Sequence, residues 1–69
     1  MSPALAHART RLTELREELA AAVAAGLADH PAYRADLRDE IAWANEAYVA
    51  AAVTEIASLR AQLSGPQVG

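Results

Sequence analysis

The sequence predicts an all-α protein: an antiparallel hairpin of two helices that assembles into a four-helix bundle or a larger helical oligomer. Three observations lead to this prediction. Two long segments carry apolar residues at three- and four-residue spacing, and a short break at Pro31 separates them. The second segment is also apolar on more sides than one neighbouring helix can cover. With 69 residues, the chain forms one domain, placed at residues 1–66 and followed by a tail at 67–69.

Helix 1 is predicted over residues 3–28. Ser2 is a favourable N-cap, and Pro3 at the first helical position loses no intrahelical hydrogen bond. Gly26 weakens the helix near its end. Apolar residues repeat every three or four positions along one face, which we assign to the hairpin core. These residues are Leu5, Leu12, Leu15, Leu19 and Val23.

Helix 2 is predicted over residues 31–64. Proline at 31 disfavours helical geometry at the residue before it, so Asp29 or His30 caps the helix and the proline lies in its first turn. The pair at 65–66, Gly-Pro, stops the helix because glycine suits the C-terminal cap and proline cannot continue it. Helix 2 contributes three residues to the hairpin core. They are Leu37, Ile41 and Tyr48.

The tight break predicts that the helices fold back on each other, which sets their register. We expect Leu19 to face Ile41 and Leu12 to face Tyr48. Helix 2 is longer than helix 1, so its last two turns are predicted to project ~10 Å past the start of helix 1. A projecting apolar helix needs a further partner.

The projecting end of helix 2 belongs to a second apolar stripe with the three- and four-residue spacing of a coiled-coil seam. We assign this stripe to self-association with another copy, a dimer being the simplest form. The stripe is Val49, Val53, Ile56, Leu59 and Leu63. Asn45 lies near the helix interface, and the sequence leaves open whether it faces Leu15 in the core or lies at the rim.

Trp43 lies on a third side of helix 2, away from the hairpin core. Tryptophan is enriched at interaction hot spots, and the flanking alanines would let another backbone approach closely. We therefore assign a partner interface to Trp43, Ala47 and Ala50. Two other interpretations stay open, namely a self-contact between copies and a tryptophan that lies flat over its own helix.

Composition argues against several classes of function. No cysteine is present, which excludes disulfides and thiolate metal sites, and the net charge is −3 with arginines interleaved among glutamates, so no nucleic-acid partner is expected. Glycine-rich phosphate loops and other catalytic motifs are absent, and His7 and His30 are assigned to surface and turn. We expect no enzyme, no catalytic, cofactor or metal residues, and no cofactor.

The segment at the start, MSPALAHARTR, does not have the features of a signal peptide, and the longest uncharged run is too short to span a membrane. We therefore expect no membrane partner and a location in the cytoplasm or within an intracellularly assembled particle.

The closing segment EIASLRAQLSGP, with the alanine-rich first helix, resembles small helical phage proteins of head completion or neck assembly. The resemblance covers only that closing segment and implies a virion component; the β-hairpin that one such family carries between its helices has no counterpart. We expect a non-enzymatic structural or adaptor protein that self-associates and binds another protein of a larger assembly. The alternative is a small regulatory protein, antitoxin-like or an inhibitor, that captures one target through the Trp43 face.

Overall fold

The computed structural model describes residues 2–26 and 29–64, and this part of the chain forms two helices without a strand. Helix α1 is Pro3–Ala24 and helix α2 is Pro31–Leu63. They pack against each other as a hairpin, which confirms the predicted all-α helical hairpin. The prediction that helix 1 reaches residue 28 is wrong, because α1 ends at Ala24; residues 27 and 28 lie outside the described residues.

The two ends of α1 follow from local sequence. Ser2 adopts an extended conformation, and its side-chain oxygen accepts a hydrogen bond from the N–H of Leu5 at 3.2 Å. At the other end Gly26 has a φ of 78°, and its N–H donates to the carbonyl oxygen of Val23 at 3.1 Å. This left-handed conformation closes the helix and favours glycine, because other residues rarely adopt a positive φ. An added Cβ would meet no neighbour, so the backbone geometry alone disfavours a larger residue.

Helix α2 begins and ends close to the predicted positions. His30 is the N-cap, in an extended conformation and without a side-chain cap hydrogen bond, and Pro31 occupies the first turn. Ser64 caps the other end, where its N–H donates to the carbonyl oxygen of Arg60 at 2.8 Å. The Gly-Pro pair at 65–66 and the tail at 67–69 lie outside the described residues.

The core is a single line of apolar contacts between the helices. Its buried cluster is Leu12, Leu15, Leu37 and Ala44. Partly buried side chains pack around it, namely Leu19, Tyr33, Ile41 and Tyr48. Leu5 is partly buried nearer the start of α1. Each helix supplies these residues at three- and four-residue intervals, so each presents one stripe to the other.

The prediction that Val23 belongs to the core is wrong. Val23 is 57% exposed, whereas its neighbour Ala22 is buried. Ala22 continues the three- and four-residue repeat that runs through Leu15 and Leu19, and the next residue along a helix is rotated by about 100° away from that line.

The position of Asn45 is settled in a similar way. Its side chain is exposed, and the adjacent Ala44 occupies the buried position between the helices. A side chain as small as alanine lets the two backbones approach closely there.

No helix in the described part of the chain has an apolar stretch that would cross a membrane.

Candidate interaction surface

The large apolar side chains that remain exposed lie almost entirely on α2. Apart from Val23, the exposed large hydrophobic residues of the described chain are Trp43, Val49, Val53, Ile56, Leu59 and Leu63. Their exposed fractions run from 49% to 79%. The outer face of α1 has a different character, since its shallow depression is lined mainly by threonine, arginine and glutamate. The exposed large apolar side chains therefore lie mostly on α2.

We call the residues Val49, Val53, Ile56, Leu59 and Leu63 the α2 seam. The seam lies beside the α1-facing line of α2, which runs from Tyr48 through Ala51 to the partly buried Glu55. Val49 follows Tyr48 by one residue and so is rotated by about 100° from it. The seam thus faces sideways from the hairpin, where α1 cannot cover it. A shallow apolar depression lies along the seam, lined by Val53, Ile56, Ala57 and Arg60.

Much of the seam projects beyond α1. The backbone N–H of Ser2 donates to Oε2 of Glu55 at 3.2 Å, so the start of α1 lies level with Glu55. The following segment Ile56–Leu63 extends past that point for ~12 Å, at 1.5 Å per helical residue. Three of the seam residues belong to this projecting segment, and Leu63 is the most exposed of them.

Polar contacts join the two helices along the rim of the core. The Tyr33 hydroxyl donates to Oε1 of Glu18 at 3.2 Å, and Arg11 pairs with Glu40 at 3.8 Å between two exposed side chains. Partial burial, together with the hydrogen bond and negative charge of Glu18, raises the pKa of Tyr33 above its ordinary 10.0. Solvent screens exposed pairs of this kind, so they add little to the stability of the hairpin.

The Trp43 face lies on a different side of α2 from the seam. Trp43 is 65% exposed, and Ala47 and Ala50 are exposed beside it. Ala47 also forms one wall of a shallow, mostly apolar groove between the helices. The groove is lined by Pro3, Ala4, His7, Ala8, Arg11, Ala47 and Ala51.

The α1 wall of that groove was not predicted from the sequence. Its small residues carry little hydrophobic signal of their own, although the low bulk of Pro3, Ala4 and Ala8 is what leaves the groove open. The sequence placed Trp43, Ala47 and Ala50 together, and the structure adds α1 residues next to Ala47.

The described residues bring together no group of three or more histidine, aspartate or glutamate side chains that could hold a metal ion. His7 is exposed at the rim of the groove, and His30 is the N-cap of α2. The α2 seam and the Trp43 face are therefore mainly apolar, with a few charged side chains at their edges. No protein-family model matches the chain, and no curated protein or solved structure matches it either.

Proposed function

We propose that this protein is a non-enzymatic structural or adaptor protein that acts by self-association through the α2 seam. The exposed seam is the observation that supports the proposal. Soluble monomers rarely expose a continuous row of large apolar side chains, and such rows commonly mark interaction sites. The charged residues of the chain lie mainly elsewhere, so the seam is also the surface with least electrostatic obstacle to contact.

The free energy gained by burying the seam, compared with the cost of association, decides whether a dimer can be stable. Burying a fully exposed Val, Leu or Ile side chain contributes about 1.5–3 kcal/mol. The seam side chains are half exposed or more, so two copies together would gain on the order of 10 kcal/mol, which is comparable with the cost of association, about 4–15 kcal/mol. Association therefore needs the whole seam, including its projecting end. Within this proposal the dimer serves a larger assembly, with a phage virion as the specific form.

The projecting end supplies the test. Introducing Leu59→Asp and Leu63→Asp together should convert the assembled protein to monomers, because two carboxylates per copy would have to be buried without partners. Molar mass by light scattering coupled to size exclusion reports the change. The matched control is Ser58→Asp with Ala61→Asp, which adds the same charge at nearly the same level on the side of α2 opposite the seam, where both residues are exposed.

Two results would reject the proposal. One is a monomeric parent protein across the accessible concentration range. The other is a Leu59→Asp, Leu63→Asp variant that keeps the mass of the parent. Loss of mass in the control variant alone would move the interface to the other side of α2.

A second candidate function rests on the exposed Trp43. We propose as the alternative that the protein is a small regulatory binder, antitoxin-like or an inhibitor, which captures one target through the Trp43 face. Trp43 is exposed one helical turn before Ala47, which lines an apolar groove, and exposed tryptophans are common at binding hot spots. This candidate requires that the face stay open when the seam is occupied.

Acrylamide quenching of the tryptophan emission tests that requirement, because Trp43 is the only tryptophan in the chain. For a face that stays open, we expect the same quenching constant in the assembled parent and in the Leu59→Asp, Leu63→Asp variant. Protection of Trp43 in the assembled protein alone would show a self-contact and would remove the support for a separate target.

A further inference from the structure

We infer that two copies pair along α2 in the antiparallel orientation, with Val53 of one copy level with Val53 of the other. This inference rests on the proposed self-association and specifies its geometry. The occupant of the seam is a second copy, and three features of the seam determine which way that copy points: the charges beside it, the sizes of its residues and its projection beyond α1.

The first feature is the pattern of charge. On the side of the seam away from α1, three residues follow one another at seven-residue intervals: Glu46, Val53 and Arg60. Seven residues make almost two turns, so the three lie in one row. With Val53 at the dyad, Glu46 lies as far before it as Arg60 lies after it, and Glu46 of each copy meets Arg60 of the other. Within the described residues, neither side chain forms an ion pair.

The parallel orientation uses the same charges less well. In parallel helical pairs, Arg60 would lie beside the residue five positions earlier in the other copy, which is Glu55. That carboxylate accepts a hydrogen bond from the N–H of Ser2 and is partly buried against α1. Glu46 would meet Ile41 and gain no opposite charge. Only the antiparallel orientation pairs Glu46 and Arg60 with each other, and it does so twice.

The second feature is residue size. Between Val49 and Ile56, the seam is bordered on its α1 side by Ala52, whose small side chain is partly buried. Parallel pairing would place Ala52 opposite Ala52 and leave a hollow in the middle of the interface. Antiparallel pairing with Val53 at the dyad brings Ala52 beside Ile56 and Val49 beside Leu59, each pair offset by two residues, or ~3 Å, along the axis. These two layers then join a small or medium side chain to a larger one. Interiors pack to high density in this way, and unfilled space is destabilising.

The third feature is the projection of α2. In the antiparallel pair, the projecting segment Ile56–Leu63 of each copy lies beside residues 43–50 of the other, where α2 is backed by its own α1. Both projecting ends are then covered by a firmly packed part of the partner. Parallel copies would leave the two projecting ends supported only by each other.

Cysteine cross-linking tests the orientation, because the chain has no cysteine of its own. The variants Val49→Cys and Leu59→Cys are purified separately, mixed under reducing conditions and transferred to a glutathione redox buffer. Mass spectrometry then identifies the disulfides. We expect the disulfide that joins position 49 of one copy to position 59 of the other to exceed either symmetric disulfide by about tenfold, corresponding to ~1.4 kcal/mol of preference. The matched control, Ala50→Cys mixed with Leu59→Cys, should show no such excess.

The outcomes separate this inference from the proposed function. Symmetric disulfides at positions 49 and 59, in a protein that keeps its dimer mass, would overturn the antiparallel orientation and leave self-association standing. A monomeric parent protein without cross-links would overturn both. An excess of the mixed disulfide that disappears when Leu63→Asp is added to the Leu59→Cys variant would support both.

Discussion

Replacing Leu15 with alanine should destabilise the folded chain by about 2–5 kcal/mol, the usual cost of removing a buried leucine side chain. Leu15 is 3% exposed and belongs to the buried cluster with Leu12, Leu37 and Ala44. A single core in a chain of this size rarely supplies more than about 3–5 kcal/mol. We therefore expect the variant to be largely unfolded at room temperature, as measured by far-ultraviolet circular dichroism during urea titration.

Val23→Ala is the matched comparison for that experiment, since Val23 lies on the same helix but is mostly exposed. We expect a cost below about 1 kcal/mol, in the range of surface substitutions. Both variants must be compared at one protein concentration, because the proposed self-association would add stability that depends on concentration. Equal losses for Leu15→Ala and Val23→Ala would place the core on the wrong line of α1.

Ala44→Glu is expected to have an effect of similar size by a different mechanism. Ala44 is buried where the two helices approach each other, and a carboxylate at that position would lose its water without gaining a partner. An uncompensated buried charge costs about 3–5 kcal/mol. The variant should therefore lose its cooperative thermal transition, with circular dichroism again as the measurement.

The adjacent residue provides the control. Asn45→Glu introduces the same side chain one position along the helix, where the native residue is exposed. It should change the free energy of unfolding by less than about 0.5 kcal/mol. If Ala44→Glu and Asn45→Glu behave alike, α2 must be rotated relative to α1 from the orientation described above.

The helices and most of their ends could be predicted because the signals for them are local. Ser2 with Pro3 starts α1 and Pro31 starts α2, and the spacing of leucines along α1 identifies the face that meets α2. The end of α1 was placed too late, since alanine-rich sequence favours helix on both sides of Gly26. Only the backbone conformation of that glycine shows where the helix closes.

The rotation of α2 about its own axis was harder to predict. A helical wheel with 3.6 residues per turn places Ile56 and Leu59 near the direction of Ile41, yet both are about half exposed. The residues that face α1 follow a repeat of seven, through Ile41, Tyr48 and Glu55. An ideal wheel drifts by ~20° in each such repeat. The drift is small near Ile41 but displaces the predicted face by the end of the helix.

The candidate surface was predictable as a set of apolar residues, although its occupant was not. Periodicity shows that Val49, Val53 and Leu63 cannot all face α1, and the hairpin leaves them exposed. The identity of the covering surface depends on a second molecule, about which one chain holds only indirect information, such as the spacing of Glu46 and Arg60.

The contact between Ser2 and Glu55 has a practical consequence for handling the protein. It places the start of α1 beside the base of the projecting end of α2, so an affinity tag or fluorophore fused before Ser2 would stand next to the proposed assembly face and hinder an incoming copy. Ala25, the exposed C-cap of α1, lies at the opposite end of that helix, about 33 Å away for a helix of 22 residues. A label attached to Ala25 would report on the proposed assembly without obstructing it.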